Sequence, residues 1–371
     1  MSKMILVTDR VSLTAVGGRE QLSRVLAAAL SGACGGQVDT VELSDDLGTA
    51  GASIRERLAG HINGATRRNV AAIVELIGRT GVAKVLLNGS NLGRVAQGIR
   101  AAHPTVEVLT FFHNCETQFF RGLLRKRPSL RAIGVLIANF RAERLAVTHS
   151  DKLICLNRRD SRQLGHTYGR EGTHILPMAM KDLLPNGLSA SPPAPREPYA
   201  LFVGGTFYAN QYGIEWFVRY VAASSPIKIL VVGKGFESWR SSLERNGNVE
   251  VVGGVESLVP WYLGASFVIA PIFDGSGMKT KVAEALMFGK RIVGTPEAFT
   301  GYEEHVAEVG VVCRTQGEFI AALRAETKSG VPAPSEQLRR IYQDNYSLEA
   351  ARRRLEEIIA EPVPEARGRF A

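Results

Sequence analysis

The sequence predicts an α/β fold class with two doubly wound Rossmann-like domains facing a cleft. Three observations predict it. Short apolar runs alternate with helical stretches along the chain, which is typical of parallel sheets covered by helices on both faces. A proline-rich segment interrupts this alternation at 185–198. The chain also has 371 residues, which is more than a single hydrophobic core usually organises.

The first half begins with a strand at Met4–Thr8 and a helix at Arg19–Leu30, joined by a turn at Gly17-Gly18. Later apolar runs with β-branched residues predict further strands, and amphipathic spacing predicts a helix between them. The predicted strands are 38–43, 84–87, 106–112 and 152–156, with a helix at 70–79 and a glycine loop at 88–93.

Five prolines lie within the fourteen residues 185–198, so this segment cannot lie inside a core element and is predicted to be a linker. A second series of strands follows at 199–204, 228–232, 249–252, 267–271 and 291–294, with a helix at 213–222. We therefore predict an N-terminal domain at 1–184 and a second domain at 199–345. A helix at 346–360 is expected to cross back to the first domain, before a flexible tail at 361–371.

The segment 271–296, together with the apolar strand 267–271 that leads into it, is the most informative part of the chain. It has the pattern of a strand, the loop Gly275-Ser276-Gly277, a helix from about Met278 to Phe288, and a glycine stop at Gly289. A glycine turn that opens a helix after a strand presents free backbone N–H groups and the positive end of the helix dipole to an anion. Lys279 and Lys281 add cations where an ordinary helix prefers acids, which predicts a phosphate site.

Glu284 follows Lys281 by three residues and Gly277 by seven, so the three share one predicted helix face. At about 1.5 Å per residue, Glu284 lies roughly 10 Å from the loop, about the length of a ribosyl diphosphate. A carboxylate there can accept hydrogen bonds from both ribose hydroxyls. The same spacing also fits a surface ion pair between Lys281 and Glu284 in an ordinary βα unit.

Composition excludes several classes of protein. No apolar run is long enough for a spanning helix, and the N-terminus has the pattern of a core strand rather than a signal peptide. The four cysteines are scattered without metal-ligand spacing, which indicates a reducing cytoplasm and no structural zinc. The formal net charge of +9 arises within 121–170, where twelve basic residues face three acidic ones. This localised excess predicts an anionic partner.

Several motifs together resemble the retaining GT-B glycosyltransferases of family 4. They are Leu201–Gly205 with Asn210 and Glu215–Phe217, the run Asn248–Val255, the run Gly275–Leu286, and Asp151–Leu156 through Pro177. The resemblance spans nearly the whole chain, although the first 150 residues match loosely.

The resemblance implies a nucleotide-sugar donor bound mostly on the second domain. It places the base near Val255, the ribose on Glu284, and the diphosphate over the loop and first helical turn. The residues implied for the diphosphate are Gly275, Gly277, Met278, Lys279 and Lys281, with Gly17, Gly18 and Gly205 as turns that let the backbone approach the donor. The chain has no Asp-x-Asp motif, so no metal and no other cofactor are expected.

The catalytic residues implied by the resemblance are His113, Asp274 and Ser276. His113 ends a first-domain strand, where the family places a histidine near the donor sugar; an ordinary hydrogen-bonded loop histidine is the alternative. Ser276 stands where the family often has a glutamate, eight residues before the ribose carboxylate, with Asp274 nearby. Many family members bind the diphosphate with an Arg and a Lys that follow the first strand of this domain. This sequence has Gly205 and the segment from Asn210 there instead.

The function expected from the sequence is transfer of a sugar from a nucleotide diphosphate to a glycan or lipid-linked acceptor, with retention, in envelope or exopolysaccharide assembly. A nucleotide-sugar epimerase of the same fold and a non-catalytic nucleotide-sugar-binding protein are the alternatives. Arg121–Arg131 mixes cations with leucines, so 121–170 is expected either to meet an anionic membrane surface or to be an ordinary solvated surface. The sequence therefore predicts a cytoplasmic protein, and the membrane interpretation of 121–170 predicts that it is peripheral to the inner membrane face. No nucleic-acid partner is expected, because aromatic residues are not interleaved with the basic ones.

Overall fold

The computed structural model describes residues 3–9, 18–43, 53–184, 197–275, 277–328 and 333–363. The chain forms two compact units, one of Met1–Met178 with Leu348–Ala371 and one of Ala179–Ser347. Of the predicted linker only Glu197 and Pro198 are described, and the rest of it lies outside the described residues. So do Gly17, Ser276 and the part of the predicted tail after residue 363.

The first unit is built on a six-stranded parallel sheet in the order β2-β1-β3-β4-β5-β6. Its strands are β1 (Met4–Asp9), β2 (Val38–Leu43), β3 (Lys84–Asn88), β4 (Glu107–Phe112), β5 (Lys152–Cys155) and β6 (His174–Ile175). The central strands are nearly continuous apolar runs because helices cover both faces of the sheet. The strand order reverses between β1 and β3, which is where doubly wound folds bind ligands.

The helices of the first unit agree broadly with the predicted alternation. They are α1 (Gly18–Ala33), α2 (Ile54–Leu58), α3 (Arg67–Thr80), α4 (Gly93–Ala102), α5 (Glu116–Lys126), α6 (Leu130–His149), α7 (Arg158–Tyr168) and, after the second unit, α15 (Leu348–Ala360). The predicted loop at 88–93 is shorter than expected, since Ser90–Leu92 form a 3₁₀ turn and Gly93 already begins α4.

Helix α15 packs against α1 and is tied to the first sheet through its C-terminal carbonyl groups. Lys84 Nζ donates to the carbonyl of Ile359 over 2.6 Å, and Lys152 Nζ donates to that of Ile358 over 2.7 Å. The last carbonyls of a helix have no partner within it, so two lysines at this end satisfy them and complement the negative end of the helix dipole.

The second unit has a six-stranded parallel sheet in the order β12-β11-β10-β7-β8-β9. Its strands are β7 (Tyr199–Val203), β8 (Lys228–Val232), β9 (Val249–Gly253), β10 (Phe267–Ala270), β11 (Ile292–Gly294) and β12 (Gly310–Val312). Its helices are α8 (Tyr208–Tyr220), α9 (Arg240–Leu243), α10 (Val259–Gly264), α11 (Thr280–Met287), α12 (Val306–Val309), α13 (Gln316–Thr327) and α14 (Glu336–Asn345). The order reverses between β7 and β10, so the loops after these two strands flank the expected ligand crevice.

Helix α8 begins five residues before the predicted helix at 213–222. In the sequence, the polar residues at 210–211 favour a loop. In the structure they belong to the helix, because Ala209, Gly213, Ile214 and Phe217 form one buried helical face. Gly213 is required there because a Cβ atom would lie 1.9 Å from the carbonyl oxygen of Pro271. The helix therefore rests directly on the backbone after β10, and this contact fixes its position beside the crevice.

Candidate functional site

The loop between β10 and α11 forms a glycine elbow, residues 271–279, at the strand-order reversal of the second sheet. Gly275 has φ +141° and Gly277 has φ +65°, conformations that residues with a side chain rarely adopt. Asp274 Oδ1 accepts a hydrogen bond from the N–H of Gly275 over 2.8 Å. Helix α11 starts at Thr280, so Gly277 lies before the helix rather than on its face as predicted. Gly289 follows the helix with φ +62°, as expected for a glycine stop.

Lys279 holds the elbow in place rather than pointing freely at the crevice. Its Nζ atom donates to Glu297 Oε1 over 2.8 Å and to the carbonyl of Gly277 over 2.9 Å, while its own carbonyl accepts from the hydroxyl of Tyr302 over 2.9 Å. The neighbouring Met278 is buried, and its side chain packs against Gly301. Its predicted contact with a ligand would therefore be made by its backbone.

Lys281 is buried, with 6% of its surface exposed, so the alternative of a surface ion pair with Glu284 is wrong. Its Nζ atom lies 4.4 Å above the ring of Phe202 and 3.0 Å from Oδ1 of Asn210. No carboxylate within the described residues pairs with it directly. Burial lowers the pKa of Lys281 to about 7, with the Glu284 charge opposing this shift. The first turn of α11 thus holds a cation that lacks a protein anion.

Asn210 connects this lysine to the loop after β7. Its Nδ2 atom donates to the carbonyl of Gly205 over 2.9 Å, and its Oδ1 atom accepts from Lys281. Gly205 itself is exposed, and a Cβ atom there would meet nothing within 4 Å. The two loops that flank the strand-order reversal are therefore joined by the amide side chain of Asn210. In the sequence, Asn210 was notable as part of a segment that departs from the family pattern.

Glu284 lies one turn further along α11 and is fixed by Tyr262. The Tyr262 hydroxyl donates to Glu284 Oε2 over 2.6 Å, and the Tyr262 ring stacks on Phe288 with centroids 4.7 Å apart. The other carboxylate oxygen has no hydrogen-bond partner among the described residues. Burial raises the pKa of Glu284, against the lowering effects of the tyrosine hydroxyl and of Lys281. One oxygen is positioned by the protein and the other remains available to a ligand.

The loops after β8 and β9 form the next part of this sheet edge. Glu237 accepts hydrogen bonds from the N–H of Gly235 over 2.6 Å and from that of Gly254 over 2.7 Å, and these bonds lower its pKa. They join the two loops and place the half-buried Val255 beside them. Lys234 is exposed in the first of these loops. Sequence analysis missed this lysine, although a Gly-Lys-Gly loop directly after a strand was the available signal.

His113 lies at the carboxyl edge of the first sheet, in a hydrogen-bonded chain across three strand ends. It is buried, and its Nε2 atom lies 2.7 Å from Oδ1 of Asn88, whose Nδ2 atom donates to Oγ1 of Thr8 over 2.9 Å. The Asn88–Thr8 bond spans the strand-order reversal between β1 and β3. Sequence analysis placed Asn88 in the glycine loop at 88–93 but did not predict its contact with His113, because the two residues are 25 positions apart. Gly18 is the first residue of α1.

A buried carboxylate fixes the segment that follows His113. Glu143 on α6 is fully buried and accepts from the N–H groups of Glu116 and Thr117 over 2.9 and 3.0 Å. Its Oε2 atom also accepts from the hydroxyl of Tyr168 over 2.7 Å. Glu143 thereby caps the N-terminus of α5, where a negative charge complements the helix dipole. Glu116 is the first residue of this helix.

The structure thus places the predicted residues in three groups. The elbow group contains Gly205, Asp274, Gly275, Gly277, Met278, Lys279, Lys281 and Glu284 at one edge of the second sheet. Val255 lies on a neighbouring loop of that edge, and His113 and Gly18 belong to the first unit. None of these positions has a demonstrated role, so the assignments stay predictions. Among the described residues, no cluster of three or more His, Cys, Asp or Glu has metal-binding geometry, and no helix is long and apolar enough to cross a membrane.

Comparison with known proteins identifies the fold. The family described as glycosyl transferases group 1 matches residues 197–326, and no curated protein sequence matches the chain. Sucrose-phosphate synthase from Thermosynechococcus elongatus superposes with a TM-score of 0.71 at 17% identity, over 97% of this chain and 98% of that one. The chain has the GT-B fold.

Two further GT-B structures agree. HepE of Anabaena in complex with UDP gives a TM-score of 0.65 at 13% identity, over 96% of this chain and 99% of that one. The apo form of the lipopolysaccharide outer core galactosyltransferase WaaB gives 0.65 at 11% identity, over 96% and 99%. These comparisons confirm the predicted fold class. The group 1 match also contains the elbow and α11, so the matched segment and the candidate site coincide in the second unit.

Proposed function

We propose that this protein is a glycosyltransferase whose nucleotide-diphosphate sugar donor binds at the glycine elbow. The observation that carries this proposal is the position of Lys281 and Glu284 one turn apart on α11, behind the elbow, at the strand-order reversal of the second sheet. A buried cation without a protein anion suits a diphosphate, and a carboxylate with one positioned oxygen suits the two ribose hydroxyls. The group 1 match over 197–326 supports the same assignment.

The donor orientation follows from the order of these groups along the sheet edge. The diphosphate lies over Gly275–Lys281, the ribose meets Glu284, and the base lies beside Val255. Gly205 and Lys234 belong to loops that approach the phosphates from the neighbouring strands. The HepE structure contains UDP, so UDP and UDP-sugars are the first ligands to test.

The transfer step needs stabilisation of the departing diphosphate. We propose that backbone N–H groups of the elbow and the Lys281 ammonium supply it without a metal ion, since fixed donors in a site shielded from water stabilise developing charge strongly. Transfer proceeds with retention: the acceptor hydroxyl attacks from the face that the diphosphate leaves, and a phosphate oxygen takes its proton. We assign contact with the transferred sugar to Asp274 and to Ser276, two positions later in the sequence.

The acceptor is proposed to be a glycan or a lipid-linked glycan, bound by the first unit with His113 at its carboxyl edge. Part of the basic segment presents apolar side chains beside cations. Leu130 is 89% exposed, Ile133 42% and Leu123 40%, and the basic side chains at 125–127 are exposed in the same region. Such a surface suits the interface of an anionic membrane. We propose that it brings the protein to a lipid-linked acceptor in envelope assembly.

Two experiments test these proposals. Isothermal titration with UDP, GDP and ADP identifies the base. The protein is then incubated with the matching sugar nucleotides, and the release of free nucleotide is measured over time. Slow release of nucleotide supports a transferase, whereas an isomerised sugar nucleotide or binding without turnover contradicts it. For the membrane surface, charge reversal at Arg125, Lys126 and Arg127 should abolish sedimentation with phosphatidylglycerol vesicles; a parent protein that does not sediment with them rules out the surface.

A further inference from the structure

Helix α8 carries a row of exposed aromatic side chains on its outer face. Tyr212 is 58% exposed, Tyr220 is 44% exposed, and Trp216 lies between them at a spacing of four residues. Phe273 extends the row, with ring centroids 5.9 Å from Tyr212 and 4.7 Å from Trp216, while Trp216 lies 5.8 Å from Tyr220. At about 1.5 Å per residue, the row covers roughly 12 Å from Tyr212 to Tyr220.

The three α8 members of the row, Tyr212, Trp216 and Tyr220, form one wall of a cavity of about 360 Å³ between α8 and α9. Pockets for small ligands in proteins occupy about 300–1,000 Å³, so this cavity is large enough for one. Its polar lining includes Glu215, Arg219, Ser242 and Arg245. Glu215 and Arg219 are one helical turn apart, yet neither forms an ion pair or a hydrogen bond with any described residue. Two opposite charges therefore face the cavity with their hydrogen-bonding capacity unused.

This combination points to a sugar. One face of a pyranose ring is a set of C–H groups that packs on an aromatic ring, and its rim is a set of hydroxyls that need directed donors and acceptors. The aromatic rings supply the first requirement. A free carboxylate, a free guanidinium and two tyrosine hydroxyls supply the second. Trp216 also packs on the core ring of Phe319 at 5.7 Å, so the platform is held rigidly and loses little entropy on binding.

The row also leads toward the elbow. Tyr208 precedes Tyr212 by one turn of α8, and its hydroxyl lies 3.5 Å from Oδ2 of Asp274. A chain of several sugar units lying on the row would therefore extend along α8 in the direction of the candidate donor site. A site of this kind keeps a long acceptor or product near the enzyme between successive encounters with the donor.

We propose that the α8–α9 cavity with its aromatic row is an oligosaccharide-binding site distinct from the donor site. The glycan chemistry of the ligand rests on the proposed function, but the binding itself is independent of donor binding. Tyr212, Trp216 and Tyr220 stack on successive sugar units, and Glu215 and Arg219 bond their hydroxyls. A macromolecular partner of another class, including a second copy of this chain, is an outcome that the test below separates.

The test is a titration of intrinsic tryptophan fluorescence with soluble hexasaccharides, namely maltohexaose, cellohexaose, laminarihexaose and N-acetylchitohexaose, and with a hyaluronan hexamer as an acidic glycan. At least one should quench the emission saturably, and Trp216→Phe should remove the quenching. The double variant Tyr212→Ala/Tyr220→Ala should bind that glycan at least about tenfold more weakly, because two stacking surfaces are lost. The matched control is Phe207→Ala, which removes an exposed ring outside the cavity and should bind like the parent.

Several results would overturn the proposal. They are the absence of binding to every glycan, equal binding by the double variant, and light scattering that shows self-association abolished by Tyr220→Ala. UDP titrated in parallel separates the two hypotheses. Glycan binding that persists in Glu284→Ala, while UDP binding is lost, supports both sites. Glycan binding without any nucleotide binding supports this site and contradicts the proposed function.

Discussion

Replacing Lys281 by methionine should stabilise the second unit and abolish donor binding at the same time. The side chain is buried, and burial lowers its pKa from 10.5 to about 7. At about 1.4 kcal/mol per pKa unit, keeping this ammonium charged inside the protein opposes folding by at most about 5 kcal/mol. Methionine has a similar length and no charge to bury.

The expected gain is smaller than this limit because Lys281 also makes favourable contacts. Methionine loses the cation over the Phe202 ring, worth about 0.5–2 kcal/mol, and the hydrogen bond to Asn210, worth about 1 kcal/mol. A net stabilisation of at most about 2–3.5 kcal/mol follows, which lies within the range seen when buried charges are replaced by apolar side chains. For a unit of this size, Tm should rise by about 2–4 °C per kcal/mol.

The gain should also depend on pH. Below pH 7 both the folded and the unfolded chains hold the Lys281 proton, so the penalty is fully present. Between pH 7 and 10.5 the unfolded chain binds the extra proton, so a rise in pH favours the folded state and reduces the penalty. The Tm difference between Lys281→Met and the parent should therefore be largest near pH 6 and shrink by pH 9.

Differential scanning calorimetry across this pH range measures the stability, and titration with UDP measures the affinity. The matched control is Lys228→Met, which removes an exposed lysine paired with Glu250 at the other end of β8 and should change neither quantity. A Lys281→Met variant that melts below the parent at pH 6, or that binds UDP like the parent, would refute the reasoning.

Three other substitutions test neighbouring features. Glu284→Gln should weaken UDP binding about tenfold or more, because a charged acceptor for the ribose hydroxyls is lost. Calorimetric titration with UDP checks this, with adenine and guanine nucleotides titrated for comparison. Asn88→Leu should lower kcat about tenfold while leaving the donor KM near that of the parent, since it releases His113 without touching the elbow; an unchanged kcat would leave His113 as a structural residue. Gly213→Ala should destabilise the second unit by about 1–3 kcal/mol in urea unfolding, because its Cβ atom overlaps a backbone carbonyl below α8.

Local signals in the sequence predicted most of the fold and the elbow. Gly289 was predicted as a helix stop, and its φ of +62° shows why a glycine stands there. The two strand series were visible because buried parallel strands are continuous apolar runs bounded by turn residues. The GT-B fold followed from these series together with the family resemblance.

The sequence could not show how deeply each side chain lies or which distant residues meet. Helical spacing placed Lys281 and Glu284 on one side of α11, but only tertiary packing buries Lys281 under Asn210 and against Phe202. The Tyr262–Glu284 bond joins residues 22 positions apart, and nothing local marks it. Lys279 carried the same predicted role as Lys281, and nothing local in the sequence marks its ion pair with Glu297, 18 positions away.

The return of α15 to the first unit has a consequence for biosynthesis. Every residue of the second unit precedes α15 in the chain, so α15 is the last helix to be synthesised and α1 lacks its neighbour until then. Until α15 emerges, the surface of α1 that it covers stays open to chaperones or to aggregation. A released chain that ends at residue 347 lacks α15, so its second unit should fold while its first unit is protease-sensitive, although the first unit begins the chain.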